Sequence, residues 1–473
     1  MDYHSTFPRF FIIFFFVTTV ALPATTVVSI GINYGQIANN LPSPDDAVAL
    51  VKCVGATKVK LYDADPRVLK AFANTGVEVM VGLGNEYLSR MKDPTKAQAW
   101  IKTNLQPYLP ATKITSIFVG NEVLTFNDSS LTSNLLPAMQ SVHTALVNLA
   151  LDKQITVTTT HSLAVLQTSY PPSAGAFRPD LAPCLAPILS FQVKTGSPFL
   201  INAYPYFAYK ANPKQVPLDF VLFQPNQGMV DPSSNLHYDN MLFAQIDAVY
   251  SALDSLGYGK LPVHISETGW PSKGDEDEAG ANLENAKKYN GNLIKMAMSN
   301  SKKGTPSRPN SDLNIYVFAL FNENMKPGPT SERNYGLFKP DGTPAYPLGF
   351  SLASAPNDAV NNSSGTGTPP RPPTSSTGYL SISSASSLVY TFLDEVTREM
   401  LFSFVLVFGD GADFEVLRIF RRRMEREKGW WRWGEEQRQS EKGAKGVDVM
   451  FRNDGKLAVD FTSPVLSLPT PGD

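Results

Sequence analysis

The chain has 473 residues, with 41 Lys and Arg against 43 Asp and Glu for a formal net charge of -2, so a polyanion-binding protein is excluded and no nucleic-acid partner is expected. Hydrophobic content of 42%, with 28 Phe and 18 Tyr, supplies a large core and excludes wholesale disorder. Two cysteines, Cys53 and Cys184, exclude a disulfide framework and a Cys-rich zinc site.

The N-terminus opens on a targeting segment. Phe10 to Val20 is an apolar run after Arg9, followed by small residues from Ala21 to Thr26, which is the pattern of a secretory signal over residues 1–26. The run is well short of the roughly 20 residues that span a bilayer. Secretion makes the sequons at Asn127, Asn361 and Asn362 expected glycan acceptors. Cys53, on an apolar helical face with Ala47, Val51 and Val54, reads as a buried thiol.

From Val27 onward, short apolar runs alternate with helical patterns. Val27–Tyr34 predicts a first strand, and Ser43-Pro44 caps a helix running to Val54. Strands two, three and four are predicted at Lys58–Tyr62, Val77–Leu83 and Ile114–Val119, followed by helices at Pro66–Asn74, Pro94–Leu105 and Leu135–Leu149. Strands five and six are Ile155–Thr160 and Phe199–Ala203, and a long irregular loop leads to a helix at Tyr238–Leu256. Leu261–Ser266 is strand seven, with a helix at Ala279–Met298, and Leu313–Phe321 is strand eight. Each strand is apolar enough for burial on both faces, which points to a parallel sheet. A closed (β/α)8 TIM barrel over residues 27–350 fits the length. An open doubly wound sheet lacks the Gly-x-Gly-x-x-Gly fingerprint after its first strand.

Composition changes after Phe350. Residues 351–387 are rich in Ser, Thr, Pro and Gly and read as a disordered linker. Residues 388–473 form a tail assigned to no fold, expected to be poorly ordered, in which Arg418 to Lys445 is charge-dense and holds three of the five tryptophans.

The chemistry is expected at the C-terminal ends of the strands, where βα loops build the working face of a barrel. Strand four delivers Asn121-Glu122 and strand seven delivers Glu267, followed by Thr268-Gly-Trp-Pro. Strands four and seven lie across the barrel mouth, so both carboxyls can converge on one ligand. Paired carboxylates flanking a scissile bond are the requirement of glycoside hydrolysis. A single strand-end glutamate often does no more than bind a neighbouring loop; two in these contexts are much more specific. His161 and His264 read as core residues or as support behind the site.

The stretches Ile30-Gly-Ile-Asn-Tyr-Gly, Val119-Gly-Asn-Glu-Val, Asn202-Ala-Tyr-Pro-Tyr-Phe and Ile265-Ser-Glu-Thr-Gly-Trp-Pro-Ser resemble glycoside hydrolase family 17, the plant β-1,3-glucanases and a minority of β-1,3-1,4-glucanases. So do Phe318-Ala-Leu-Phe-Asn-Glu-Asn-Met-Lys and Glu332-Arg-Asn-Tyr-Gly-Leu-Phe. The resemblance covers about Val27 to Phe350 without a missing block. It implies a retaining endo-hydrolase with Glu122 as acid/base and Glu267 as nucleophile, needing no metal or cofactor. It places Asn121 on the sugar 2-hydroxyl, and Tyr34 and Tyr62 along the same subsite. Tyr204 holds either the nucleophile or the sugar ring, and Trp270 either stacks on a sugar or braces the nucleophile loop. Glu323, Lys326 and Glu332 are implied to tune the acid/base and order a loop. Each of these supporting residues has an alternative reading, as barrel-mouth packing for the aromatics and as a solvated loop for the charges.

The expectation is therefore a secreted, glycosylated endo-β-1,3-glucanase of the plant cell wall, active in defence or in turnover of callose. Its partner is a β-glucan, it is expected to be a monomer, and its C-terminus, Leu-Pro-Thr-Pro-Gly-Asp, does not support a lipid anchor. The alternatives are a β-1,3-1,4-glucanase and a non-catalytic wall-binding protein.

Overall fold

The structure is a computed structural model that describes residues 30–298 and 304–348, and a strand pair in the tail. Eight parallel strands close into a barrel: β1 (Ile30–Tyr34), β2 (Lys58–Leu61), β3 (Glu78–Leu83), β4 (Lys113–Asn121), β5 (Thr156–Ser162), β6 (Phe199–Asn202), β7 (Val263–Thr268) and β8 (Ile315–Val317). They neighbour one another in chain order, and β1 pairs with β8 to close the ring, Ile30 opposite Ile315. Helices follow each of the first seven strands. This is the expected (β/α)8 barrel.

Two cores result from the alternation of the strands. Met80, Phe118, Leu200 and Tyr316 form a small cluster of their own, each from a different strand, while the remaining apolar side chains join the larger core under the helices. Gly31 belongs to this packing. A Cβ there would lie 2.4 Å from the Tyr316 ring, so β1 carries no side chain where that ring needs space.

Three elements differ from the sequence reading. The helix after β4 begins at Ser129, not Leu135, because Asp128 caps it by accepting from the Ser130 and Leu131 amides. Its polar first turn carries no apolar period for sequence reasoning to find. A helix missed in the sequence, Ala182–Thr195, joins β5 to β6. Pro183 sits in its tolerant first turn, Pro187 interrupts the pattern, and Gly196 ends it in a left-handed conformation (φ 67°). Strand β8 is three residues long, because the chain beyond Val317 turns over the barrel mouth. There the Phe318 amide donates to the Thr268 carbonyl and the Leu320 amide to Asn33.

The expected signal segment (1–26), the linker (351–387) and Asn361 and Asn362 lie outside the described residues. So does the tail, apart from Asp448–Phe451 paired antiparallel with Leu457–Asp460. Asn127 is exposed just before the helix that starts at Ser129. Cys53 and Cys184 are half-buried rather than fully enclosed.

Candidate active site

Both strands that deliver a glutamate lose register just before it. On β4, Phe118 pairs with Thr158 and Asn121 with Thr160, so β4 carries an extra residue there; on β7, Ile265 pairs with Ile201 and Glu267 with Asn202. Such bulges re-aim the side chains that follow. Gly120 takes up the first at φ 70°, and Glu122 itself is left-handed at φ 57°. Its amide is anchored on the Thr160 carbonyl at 2.8 Å.

The glutamates meet at an open cavity lined by Asn121, Glu122, Tyr204, Glu267, Lys326 and Glu332 among others. Six of the expected site residues are thus brought together. Their surroundings differ in kind. Glu267 accepts three charged or phenolic donors: Lys60 Nζ at 2.8 Å and Tyr62 OH at 2.7 Å on Oε1, and Tyr204 OH at 3.0 Å on Oε2. Burial and the Glu267 charge push both phenols well above their ordinary range, so they remain donors at any working pH. Glu122 accepts at Oε1 from the Asn202 amide at 2.9 Å, whose oxygen is in turn held by Ser266 Oγ at 2.6 Å.

Asn121 is fixed by a reciprocal pair with Asn85: its amide donates to Asn85 Oδ1 at 2.8 Å and its carbonyl accepts from Asn85 Nδ2 at 3.1 Å. Its own side-chain oxygen is buried and makes no hydrogen bond within the protein, although the residue lines the cavity.

The charged group over the mouth is ordered. Lys326 Nζ lies 3.0 Å from Glu332 Oε2 and 4.4 Å from the Phe318 ring centroid. Burial works against its charge, but Glu332 and Glu323 outweigh burial and hold it above the usual lysine range. Glu323 accepts the Ile37 amide at 2.8 Å, and burial raises it above the usual carboxylate range.

Trp270 and Tyr34 stand back from the cavity. Trp270 is fully buried, donates its indole N–H to the Gly280 carbonyl at 2.8 Å and packs against Tyr206, Tyr209 and Tyr289. It braces the segment after β7. Tyr34 is buried edge-on to Phe321, and Tyr62 reaches the site through Glu267. His161 stacks on Phe199 and His264 touches Asn314, both in the barrel wall; burial holds them at about 3 and about 4.

Sequence reasoning missed Lys60, Asn33 and the roles of Asn202 and Ser266. The one available signal was Lys60 itself, a charge set between Val59 and Leu61 in the short strand Lys-Val-Lys-Leu. Among the described residues there is no group of three or more His, Cys, Asp or Glu arranged to hold a metal.

The profile of glycosyl hydrolases family 17 matches residues 30–350. The chain belongs to this family. It is therefore a glycoside hydrolase, and its relatives agree. The chain is 63% identical over 401 residues to glucan endo-1,3-beta-glucosidase 11 of Arabidopsis thaliana, covering 80% of this chain and 93% of that protein. It is 67% identical over 339 residues to glucan endo-1,3-beta-glucosidase 10 of the same plant, covering 71% and 80%. Among solved structures, CJP38, a β-1,3-glucanase and allergen of Cryptomeria japonica pollen, is 43% identical, with a TM-score of 0.65 over 69% of this chain and 100% of that one.

Proposed function

We propose that this family 17 hydrolase is an endo-acting β-1,3-glucanase that works by retention. The observation that carries the mechanism is the unequal surroundings of the two glutamates at one cavity. Glu267 is gripped by a cation and two phenols, which suits a carboxylate that stays ionised and attacks the anomeric carbon. Glu122, on the Asn202 amide, is the carboxyl that gives its proton to the leaving oxygen and later takes one from water. Asn121 lines the same cavity, next to Glu122, where it is placed to meet a sugar hydroxyl. Linkage is inferred from the relatives, which carry β-1,3-glucosidase names at 63% and 67% identity. A binding protein has no need of a paired acid and nucleophile.

The apolar run Phe10–Val20 supports export to the plant cell wall, with Asn127 as a glycan acceptor and a place in defence or callose turnover. The test is a product profile on pure linear β-1,3-glucan beside mixed-linkage glucan. Mixed oligosaccharides released early from the former are expected. Preference for mixed-linkage glucan would move the chain to the β-1,3-1,4 reading, and release of glucose alone would overturn endo action.

A further inference from the structure

Lys60 enters the reaction written above only as the cation beside Glu267. It stands on β2 with 0% exposure, its Nζ 2.8 Å from Glu267 Oε1 and 4.7 and 5.1 Å from the ring centroids of Phe118 and Tyr62. An ammonium ion so enclosed is costly unless a partner compensates it. Burial lowers its proton affinity, and two charges oppose that loss: Glu267 from β7 and, at longer range, Glu122 from β4. The other groups facing Glu267 are Tyr62 after β2, Tyr204 after β6, and Glu323 and Lys326 after β8. Lys326, the second buried cation, is already paired with Glu332.

Charge moves between the glutamates during the reaction assigned above, and this inference rests on that assignment. In the first half a Glu267 oxygen bonds to the anomeric carbon, the glycosidic C–O bond breaks, and the leaving oxygen takes the Glu122 proton. Glu267 is then a neutral ester and Glu122 an anion. In the second half a water oxygen bonds to that carbon as the ester bond breaks. One water proton passes to Glu122, the other stays on the product hydroxyl, and Glu267 regains its charge. One of the two is ionised at every stage, and never the same one in both halves.

We propose that Lys60 is a positioning residue for both halves, the fixed counter-charge that serves Glu267 before attack and Glu122 in the glycosyl-enzyme. A lysine that served Glu267 alone would still speed departure of that carboxylate in the second half, but it would leave the ionisation of the Glu122 base there unmoved.

Full-length Lys60→Met, Lys60→Gln and Lys60→Arg separate these cases on a dinitrophenyl β-laminaribioside, whose burst reports the first half and whose steady state reports the second. In the neutral variants both rates should fall, on the order of 10²-fold. The acidic limb of the steady-state kcat should also move to higher pH, because loss of the cation disfavours the ionised Glu122 base of the glycosyl-enzyme. Lys60→Arg should keep that limb and lose no more than about tenfold. An unchanged second-half rate or an unmoved limb in the neutral variants overturns the proposal. Should neither neutral variant fold, Lys60→Arg decides: a loss of about 10²-fold or more in both halves despite the retained charge overturns it, and a small loss with an unmoved limb supports it. Wild-type enzyme treated with a 2-deoxy-2-fluoro analogue should be labelled at Glu267. Labelling elsewhere would mean that the assigned roles are wrong, which is a different failure from that of Lys60.

Discussion

Replacing Lys326 with methionine probes the charged group over the barrel mouth. Its ammonium pairs with Glu332 at 3.0 Å, and the two side chains are 5% and 8% exposed, so solvent does little to screen the pair. Removing one partner of a buried ion pair typically costs about 3 to 5 kcal/mol, since the charge left behind is uncompensated. For a domain of this size that corresponds to a fall in Tm of roughly 4 to 8 °C. The loss should depend on pH. Burial already raises Glu323, and a carboxyl raised in the folded state contributes stability at low pH that disappears as pH rises through its folded value. Without Lys326 that loss is larger, so the deficit should grow as pH rises from the usual carboxylate range toward neutrality. Thermal unfolding of wild type, Lys326→Met, Glu332→Gln and the double variant across this range reads it directly. The double variant should be more stable than the sum of the singles predicts, by about 1 kcal/mol or more. Additive losses of the same size at every pH would refute the reasoning.

The two glutamates should fail in different ways. Glu122→Ala should lose about 10² to 10⁴ in rate on glucan, recover its first step with a leaving group that needs no proton, and give a β-glycosyl azide when azide is added. Glu267→Ala should give the α-azide, and nuclear magnetic resonance of the products would expose an exchange of roles. A chain ending near Phe350 should retain its specific activity on linear β-1,3-glucan, since every proposed catalytic group precedes that point; a folded but inactive product would assign the tail a part in hydrolysis.

The barrel was legible because its strands are apolar on both faces and its helices amphipathic, a pattern that survives without any knowledge of partners. The glutamates were legible because strand ends are where a barrel does chemistry. What stayed hidden has a common physical origin. Asn33 and Ser266 look like ordinary polar residues in strands, and their importance lies in contacts made 233 residues apart, Asn33 Nδ2 to the Ser266 carbonyl at 2.9 Å. Trp270 was open between stacking on sugar and bracing a loop, because burial is a property of the folded surroundings and not of the residue. The helix Ala182–Thr195 was hidden by prolines whose tolerance depends on where the first turn falls.

The pairing of Lys60 with Glu267 joins β2 to β7 across 207 residues of chain. A fragment carrying only the first four strands would have to enclose an ammonium ion with no anion from β7, or leave that side of the sheet open to water. The same holds for the second half, whose Glu267 would lose its cation and one of its phenols, supplied by β2 and by the residue that follows it. The barrel is therefore not divisible into halves that stand alone. Its ring closes most favourably when β2 and β7 are both present, so the ion pair that readies the site also couples the two halves of the barrel in folding.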